Sequence, residues 1–502
     1  MSDDRRDEAS LRPLQRTPTG VAGLDAVLRG GLVRGGTYLV MGRPGTGKTT
    51  LGNQLCFAHV AGGGRASYVT LLGESHAHML RNIQTMRFFD PAALQRGLSY
   101  VGAYRALREG RLRGLLQMIG ALVSAEKSTL LVIDGVSPAR AYAETEIALK
   151  EFVVELQTMS GLLDCTTVLL ANMTSDDANG PEHTMVDGLM ELAFERAPRR
   201  TLRTLEVLKF RGSEHLLGRH EVSISSRGLA VHPRLEELLE GSCRPAPPSL
   251  ARAPLGVPAL DAMLQGGLST GTTTVVLGYS GSGKTTLAMH FLQAGARGGE
   301  PGVLFGFYES PERVLQVADG IRLGLRASGE RGLFSHVWQP SYEFGLDLLG
   351  ERLLGEIERT KARRVVIDSL DGFRQASSDP ERTIRFMTAL LNELRARDIT
   401  VLLTDETLKP SGPEMEMRIQ GMSALVENLL LLEYVTISTR LRRLLAVVKQ
   451  RGSRQDHFMR EFHLTAEGIV VEPDASSAEE VVKRADEMHT RRSRTPGPPE
   501  GE

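Results

Sequence analysis

The feature that most constrains this chain is a long stretch of sequence written twice. From Thr19 it reads TGVAGLDAVLRGGLVRGGTYLVMGRPGTGKTTL, and from Pro254 it reads PLGVPALDAMLQGGLSTGTTTVVLGYSGSGKTTL. Equivalent positions keep a nearly constant separation: 236 from Asp25 to Asp261 and from Lys48 to Lys284, 234 from Asp134 to Asp368, and 240 from Lys209 to Lys449. Order preserved over separations this long identifies two duplicated domains rather than a solenoid of short repeats. A chain of 502 residues is long enough to bury a core in each.

Each copy alternates short β-rich apolar runs with longer amphipathic stretches. TYLVM, ASYVTLL, TLLVID and TTVLLAN occupy the first copy; TTVVLG, GVLFGFY, RRVVID and DITVLLTD occupy the second. That alternation predicts an α/β fold, a mostly parallel sheet flanked by helices. Closely spaced strands follow in both halves, RTLRTLEVLKFRG with HEVSISSRGLAVH and RLRRLLAVVKQRG with REFHLTAEGIVV, and predict an antiparallel extension of the sheet. The proline-rich run of small residues over Gly241–Gly256 reads as an extended connector. The expected division is a first domain at 13–240, a linker at 241–253 and a second domain at 254–473. From Asp474 apolar periodicity is lost and the chain ends in RRSRTPGPPEGE, so residues 474–502 are expected as a mobile tail.

Two segments, GRPGTGKT over Gly42–Thr49 and GYSGSGKT over Gly278–Thr285, fit GxxxxGK[ST] behind an apolar strand and ahead of a helix-compatible stretch. Gly42, Gly45, Thr46 and Gly47, and their counterparts Gly278, Gly281, Ser282 and Gly283, let successive backbone N–H groups curl round a phosphate. Lys48 and Lys284 reach the outer phosphates, Thr49 and Thr285 can ligate Mg2+, and Thr50 and Thr286 complete the expected nucleotide-binding set. An aspartate ends a buried strand 86 and 84 residues after the respective lysines, in LLVID (Asp134) and RVVID (Asp368). A carboxylate at that place can hold the magnesium through water. ATP and Mg2+ are the expected cofactors. Gly135 and Ser369 follow the two aspartates, so the group that handles the attacking water must come from elsewhere. Glu74 in YVTLLGES and Glu309 in LFGFYES are the candidate catalytic carboxylates, with Lys48 and Lys284 beside them, in the arrangement of RecA-like proteins. A helix-capping glutamate on a loop is the competing reading of that pair.

LEVLKFRGSEH and LAVVKQRGSRQDH place Lys209 with Arg211, and Lys449 with Arg451, two apart on a strand and so on one face. Each half has its own phosphate loop, and the resemblance to RecA-like rings, where such pairs act on the neighbouring subunit's nucleotide, implies fingers acting in trans, against the blander reading of a solvated strand edge. Composition sharpens this. Of 60 basic residues only nine are lysine, leaving 60 minus 9, or 51, arginines. Four of the nine are Lys48, Lys209, Lys284 and Lys449. The 61 acidic residues leave a net charge of -1, which gives no global polycation for nucleic acid or anionic membrane. Three scattered cysteines suggest neither a disulfide framework nor a zinc site, and the polar start of the chain and the lack of a long apolar run predict a cytoplasmic protein with no membrane partner.

The GLDxxLxGGL leader, both phosphate loops and both KxRGS segments together resemble the KaiC family of circadian-clock ATPases and autokinases, from about Thr17 to Val471. The resemblance implies two tandem RecA-like P-loop NTPase domains in a two-tiered homo-hexamer that binds ATP and magnesium between subunits. It further implies hydrolysis in the first tier, serine/threonine autophosphorylation in the second, and protein partners of KaiB-like or response-regulator type. Two departures stand out. Where the family has adjacent glutamates, this chain has Gly73 before Glu74 and Tyr308 before Glu309. Aligning the apolar strand ENLLLLEYV with the family's puts Ser423 and Ala424 at its two phosphoacceptor positions, so Ser423 is the one acceptor retained.

The leading expectation is an ATP-binding ring protein with ATPase activity and serine autokinase activity in the second domain, acting as a signalling or circadian-type switch. Two other functions stay open. A RecA- or RadA-like recombination accessory would share the fold, but balanced charge and 5% aromatics argue against nucleic acid. A scaffold held together by nucleotide without turnover is favoured by the missing glutamates.

Overall fold

The computed structural model describes residues 14–71, 76–173, 185–197, 200–240, 251–340, 345–377, 379–406, 425–437, 440–451, 456 and 458–493. The chain separates into two compact units that meet in sequence at Leu238 and Leu239.

In the first unit β1 (Arg16–Thr17) pairs antiparallel with β2 (Leu32–Val33) as a small ribbon. The main sheet has nine strands: β3 (Thr37–Gly42), β4 (Ala66–Thr70), β5 (Leu98–Gly102), β6 (Leu130–Asp134), β7 (Thr166–Asn172), β8 (Gly188–Ala197), β9 (Arg200–Phe210), β10 (Arg219–Ser225) and β11 (Gly228–His232). Their order is β11-β10-β9-β8-β3-β7-β6-β4-β5, parallel from β8 to β5 and antiparallel from β8 to β11. The central parallel strands β3, β6 and β7 are mostly apolar because both their faces are covered. Alternate residues go to opposite sides: Val40, Val132 and Leu170 pack towards the helix Lys48–Ala61, and Leu39, Met41, Leu131 and Ile133 towards the helices Tyr104–Glu126 and Glu146–Leu162.

The second unit repeats this plan. After the ribbon β12 (Arg252–Ala253) and β13 (Leu268–Ser269), its sheet is built from β14 (Thr273–Gly278), β15 (Gly302–Gly306), β16 (Phe334–Trp338), β17 (Arg364–Asp368), β18 (Thr400–Glu406), β19 (Asn428–Ile437), β20 (Arg440–Gln450), β21 (Arg460–Thr465) and β22 (Gly468–Val471). Their order, β16-β15-β17-β18-β14-β19-β20-β21-β22, matches the first sheet strand for strand. The expected fold class, two RecA-like α/β domains with antiparallel extensions, is what the chain adopts.

Three features depart from the sequence reading. The edge strands β5 and β16 carry too many polar residues (LSYVG and FSHVW) to have been read as apolar runs. The stretch expected as a mobile tail begins with a helix over Ser476–Ser493, because Ala478 and Val481 find an apolar seat on Leu444, Val435 and Ile437 of the extension. Finally, Lys209 and Arg211 do not share a regular strand. The register of β9 slips beside Leu189 and Met190, and β9 ends at Phe210, so Arg211 falls in the following turn; β20 does the same beside Leu429 and Leu430.

Candidate functional site

Each phosphate loop joins the central strand of its sheet, β3 or β14, to a fourteen-residue helix, Lys48–Ala61 or Lys284–Arg297. Gly47 and Gly283 precede those helices at φ +110° and +107°, a region where a side chain is strained. Approach of backbone to backbone excludes a side chain at the loop's start as well. A Cβ on Gly42 would lie 2.3 Å from the Leu192 carbonyl oxygen, and one on Gly278 2.4 Å from that of Leu432.

The lysines fold back over their loops. Lys48 Nζ donates to the carbonyls of Gly42 and Arg43 at 2.7 and 3.0 Å, and Lys284 Nζ to those of Gly278 and Tyr279 at 2.9 and 2.7 Å. Burial pulls the Lys48 ammonium below its ordinary value, opposed by the nearby Asp134 charge. Thr49 Oγ1 donates to Asp134 Oδ2 at 3.0 Å, and Thr285 Oγ1 to Asp368 Oδ2 at 2.9 Å. The two strand-end aspartates therefore reach the loop threonines, across 85 and 83 residues of chain. The geometry fits a nucleotide and a hard cation. Two all-oxygen donor pairs stand at helix N-termini, and the Ser282 hydroxyl is fully buried with no hydrogen-bond partner among the described residues, the kind of atom a phosphate oxygen satisfies. In the second unit a cleft of about 500 Å³ joins Lys284, Thr285, Asp368 and Glu309. Glu309 is half-buried, and burial, with Asp368 next, raises its carboxyl above the ordinary range.

Sequence reasoning missed the residues that hold the aspartates. Tyr68 on β4 donates to Asp134 Oδ2 at 2.6 Å, and burial followed by the Asp134 charge pushes its phenol well above the usual value. In the second unit Thr404 on β18 donates to Asp368 Oδ1 instead. A tyrosine or threonine inside an apolar strand reads as core packing, and no local signal marks either as a partner of a distant aspartate. The neighbouring positions also diverge. Tyr100 donates to Asn53 Oδ1 at 2.7 Å in the first unit. The corresponding His336 of the second has both ring nitrogens buried without a partner among the described residues, and burial takes its pKa down to about 4.

The Lys–Arg pairs stand at the other end of the sheet. Lys209 pairs with Leu189, itself level with Leu39, and the Arg211 N–H donates to Asp187 O at 2.8 Å. Asp187 Oδ2 accepts from the N–H of Thr37, the first residue of β3, at 2.9 Å. Arg451 and Glu427 repeat this beside Thr273, with an Arg451 N–H to Glu427 O distance of 3.1 Å and a Thr273 N–H to Glu427 Oε2 distance of 2.8 Å. Thr37 is five residues before Gly42, roughly 17 Å along a strand, so neither arginine can serve the loop of its own unit. Within each pair the two cations are close: burial and then the neighbouring arginine lower the pKa of Lys209 and of Lys449. Glu74 and Ser423 lie outside the described residues.

Comparison with known proteins agrees with this geometry. The family model described as "ATPase: KaiC" matches residues 17–236 and 253–476. The chain is 25% identical over 493 residues, 95% of its length, to the "Circadian clock oscillator protein KaiC" of Parathermosynechococcus lividus, 89% of which is covered. It is 26% identical over 490 residues, covering 95% of this chain and 92% of the relative, to the protein of the same name from Thermosynechococcus vestitus. It is also 26% identical over 473 residues to the "Circadian clock protein KaiC2" of Synechocystis, covering 92% of this chain and 82% of that relative. With the family model matched in both halves and the phosphate loop built twice in the same sheet position, the chain belongs to the KaiC ATPase family.

Proposed function

We propose that this protein is an ATP-driven ring switch: a homo-hexamer that binds ATP and magnesium at both phosphate loops, hydrolyses ATP, and phosphorylates its own Ser423 in the second unit. The observation that carries the reading is the register of the two Lys–Arg pairs, which stand at the ends of the sheets opposite their own loops. Cations so placed are useful to a nucleotide only if it is held by another copy, and a head-to-tail contact of that kind forms a ring when the rotation between copies closes, which is the closure proposed here. In each site the loop backbone and Lys48 or Lys284 would hold the phosphates. Thr49 with Asp134, and Thr285 with Asp368, would hold the metal, which when bound neutralises phosphate charge. Lys209 with Arg211, or Lys449 with Arg451, would enter from the neighbour and offset charge that develops on the transferring group. Glu74 and Glu309 are the proton acceptors in this scheme.

The relatives carry names of circadian clock proteins, and the proposed output here is of that kind: a phosphorylation or nucleotide state read by protein partners, KaiB-like or of response-regulator type. Since Ala424 occupies the second acceptor position, the cycle would have one phosphorylated residue. Incubation with γ-labelled ATP followed by phosphopeptide mapping tests this. Label should appear on Ser423 and vanish in Lys284→Ala; an unlabelled wild type, or label that survives Lys284→Ala, contradicts it.

A further inference from the structure

The second unit differs from the first at the mouth of its cleft. Tyr308, directly before Glu309, is 57% exposed, yet its hydroxyl is engaged: it donates to Asp371 Oδ2 at 2.8 Å and accepts from Gln375 Nε2 at 3.1 Å. Asp371 opens the short helix Asp371–Ala376 and is itself held, by Arg374 Nη2 on Oδ1 and by Gln375 Nε2 on Oδ2 at 2.5 Å. Arg374 is anchored in turn 3.8 Å from the buried Asp405 on β18. Tyr308, Glu309 and Asp371 line the same cleft as Lys284, Thr285 and Asp368. At the separation that relates Asp134 to Asp368, the first unit has Ser137 in place of Asp371. In sequence, Gly73 likewise stands where the second unit has Tyr308.

A phenol hydroxyl carries one proton and two lone pairs. In Tyr308 the proton goes to Asp371 and one lone pair to Gln375, which leaves a single acceptor site. A water that donates one hydrogen to that site and the other to Glu309 has its own lone pairs turned away from both, the orientation an attacking water needs. The electrostatics divide the labour in the same sense. Burial alone would raise the Asp371 carboxyl, but hydrogen bonds from Arg374 and Tyr308 outweigh it and keep the group below the usual carboxylate range. Glu309 is pushed the other way, by burial and by Asp368. Two carboxyl groups driven apart by their surroundings take separate roles, one a fixed anion and one a proton acceptor.

We propose that Tyr308, locked in place by Asp371, orients the water that attacks the γ-phosphate of a nucleotide in the second unit while Glu309 receives its proton. The bond from the water oxygen to the γ-phosphorus forms, the bond from that phosphorus to the β-bridging oxygen breaks, and ADP leaves with the electron pair. Tyr308 is a catalytic residue beside Glu309, and Asp371 is a positioning residue. The proposal rests on the reading of the second unit as ATP-hydrolysing. The experiment measures MgATP turnover by the full chain carrying Lys48→Ala, which silences the first loop, with and without further substitutions. Tyr308→Phe should lower kcat roughly tenfold with KM unchanged. Asp371→Asn should lower it by the same factor, the double variant should lose no more than either single one, and Asp371→Glu should recover part of the rate. A Tyr308→Phe chain as fast as its parent, an additive double variant, or a loss confined to KM overturns the proposal alone. A Lys48→Ala parent that binds MgADP yet turns nothing over overturns the underlying reading, and the proposal with it.

Discussion

Single residues decide how alike the two nucleotide sites are. Asp134 and Asp368 end equivalent strands and meet equivalent threonines, but Tyr68 supports the first and Thr404 the second. One carboxylate that lines the second site, Glu309, carries a testable electrostatic cost. Its folded pKa is raised by burial and by Asp368, with Arg313 opposing. The folded state thus holds that proton more tightly than the unfolded chain, so the group's contribution to stability is fully present below its ordinary pKa and is lost as pH rises through the raised value. Once ionised, Glu309 therefore costs stability. Glu309→Gln, without nucleotide or magnesium, should melt higher than wild type at pH 8, and the difference should close as pH falls through the carboxylate range. Fluorescence of Trp338, the only tryptophan of the chain, reports on this unit specifically. A gap that widens on acidification would reverse the sign of the argument.

At the scale of elements, the second unit is stitched by one buried cation. Arg364, at the start of β17, has a side chain 3% exposed. It donates to the carbonyls of Pro254 and Phe291 at 2.6 and 2.9 Å, pairs with Glu300 at 2.7 Å, and lies 4.8 Å over the ring of Phe291. One side chain thus ties the central sheet to the ribbon's approach and to the helix after the phosphate loop. Arg364→Leu, which installs the residue the first unit has at Leu130, leaves two carbonyls and a carboxylate without their donor and should cost about 2–4 kcal/mol. For a unit of this size that lowers the Trp338-monitored Tm by roughly 5–15 °C. The exposed neighbour Arg363, changed the same way, should move it little. Such ties mark the limit of what the chain's pattern displays. Strands buried on both faces, glycine loops and strand-end aspartates each write a local signature, so the central sheet and both phosphate loops were legible. Contacts across long separations write none: Tyr68 with Asp134, Tyr308 with Asp371 and Arg364 with Pro254 join residues 63 or more apart. The edge strands and the helix Ser476–Ser493 escaped for a related reason, since only a neighbouring surface gives their mixed sequences a buried side.

For the molecule as a whole, the duplication and the scarcity of lysine converge. Four of nine lysines stand at the phosphate loops and in the Lys–Arg pairs of both halves. An ammonium folds over a loop where a planar guanidinium does not. The loop lysine sits at one end of each sheet and the finger pair at the other, so the central claim is that no site is complete within one chain. Subunit mixing tests it most directly. One full chain carries Lys48→Ala with Lys284→Ala, and so has sound fingers and no working loop. The other carries Lys48→Ala with Lys449→Ala and Arg451→Ala, and so has a sound second loop and no fingers for it. Each alone should hydrolyse MgATP at background. Mixed and allowed to exchange, they should recover turnover, because intact fingers from the first chain meet intact loops of the second. A mixture no faster than the two chains measured apart would contradict completion in trans.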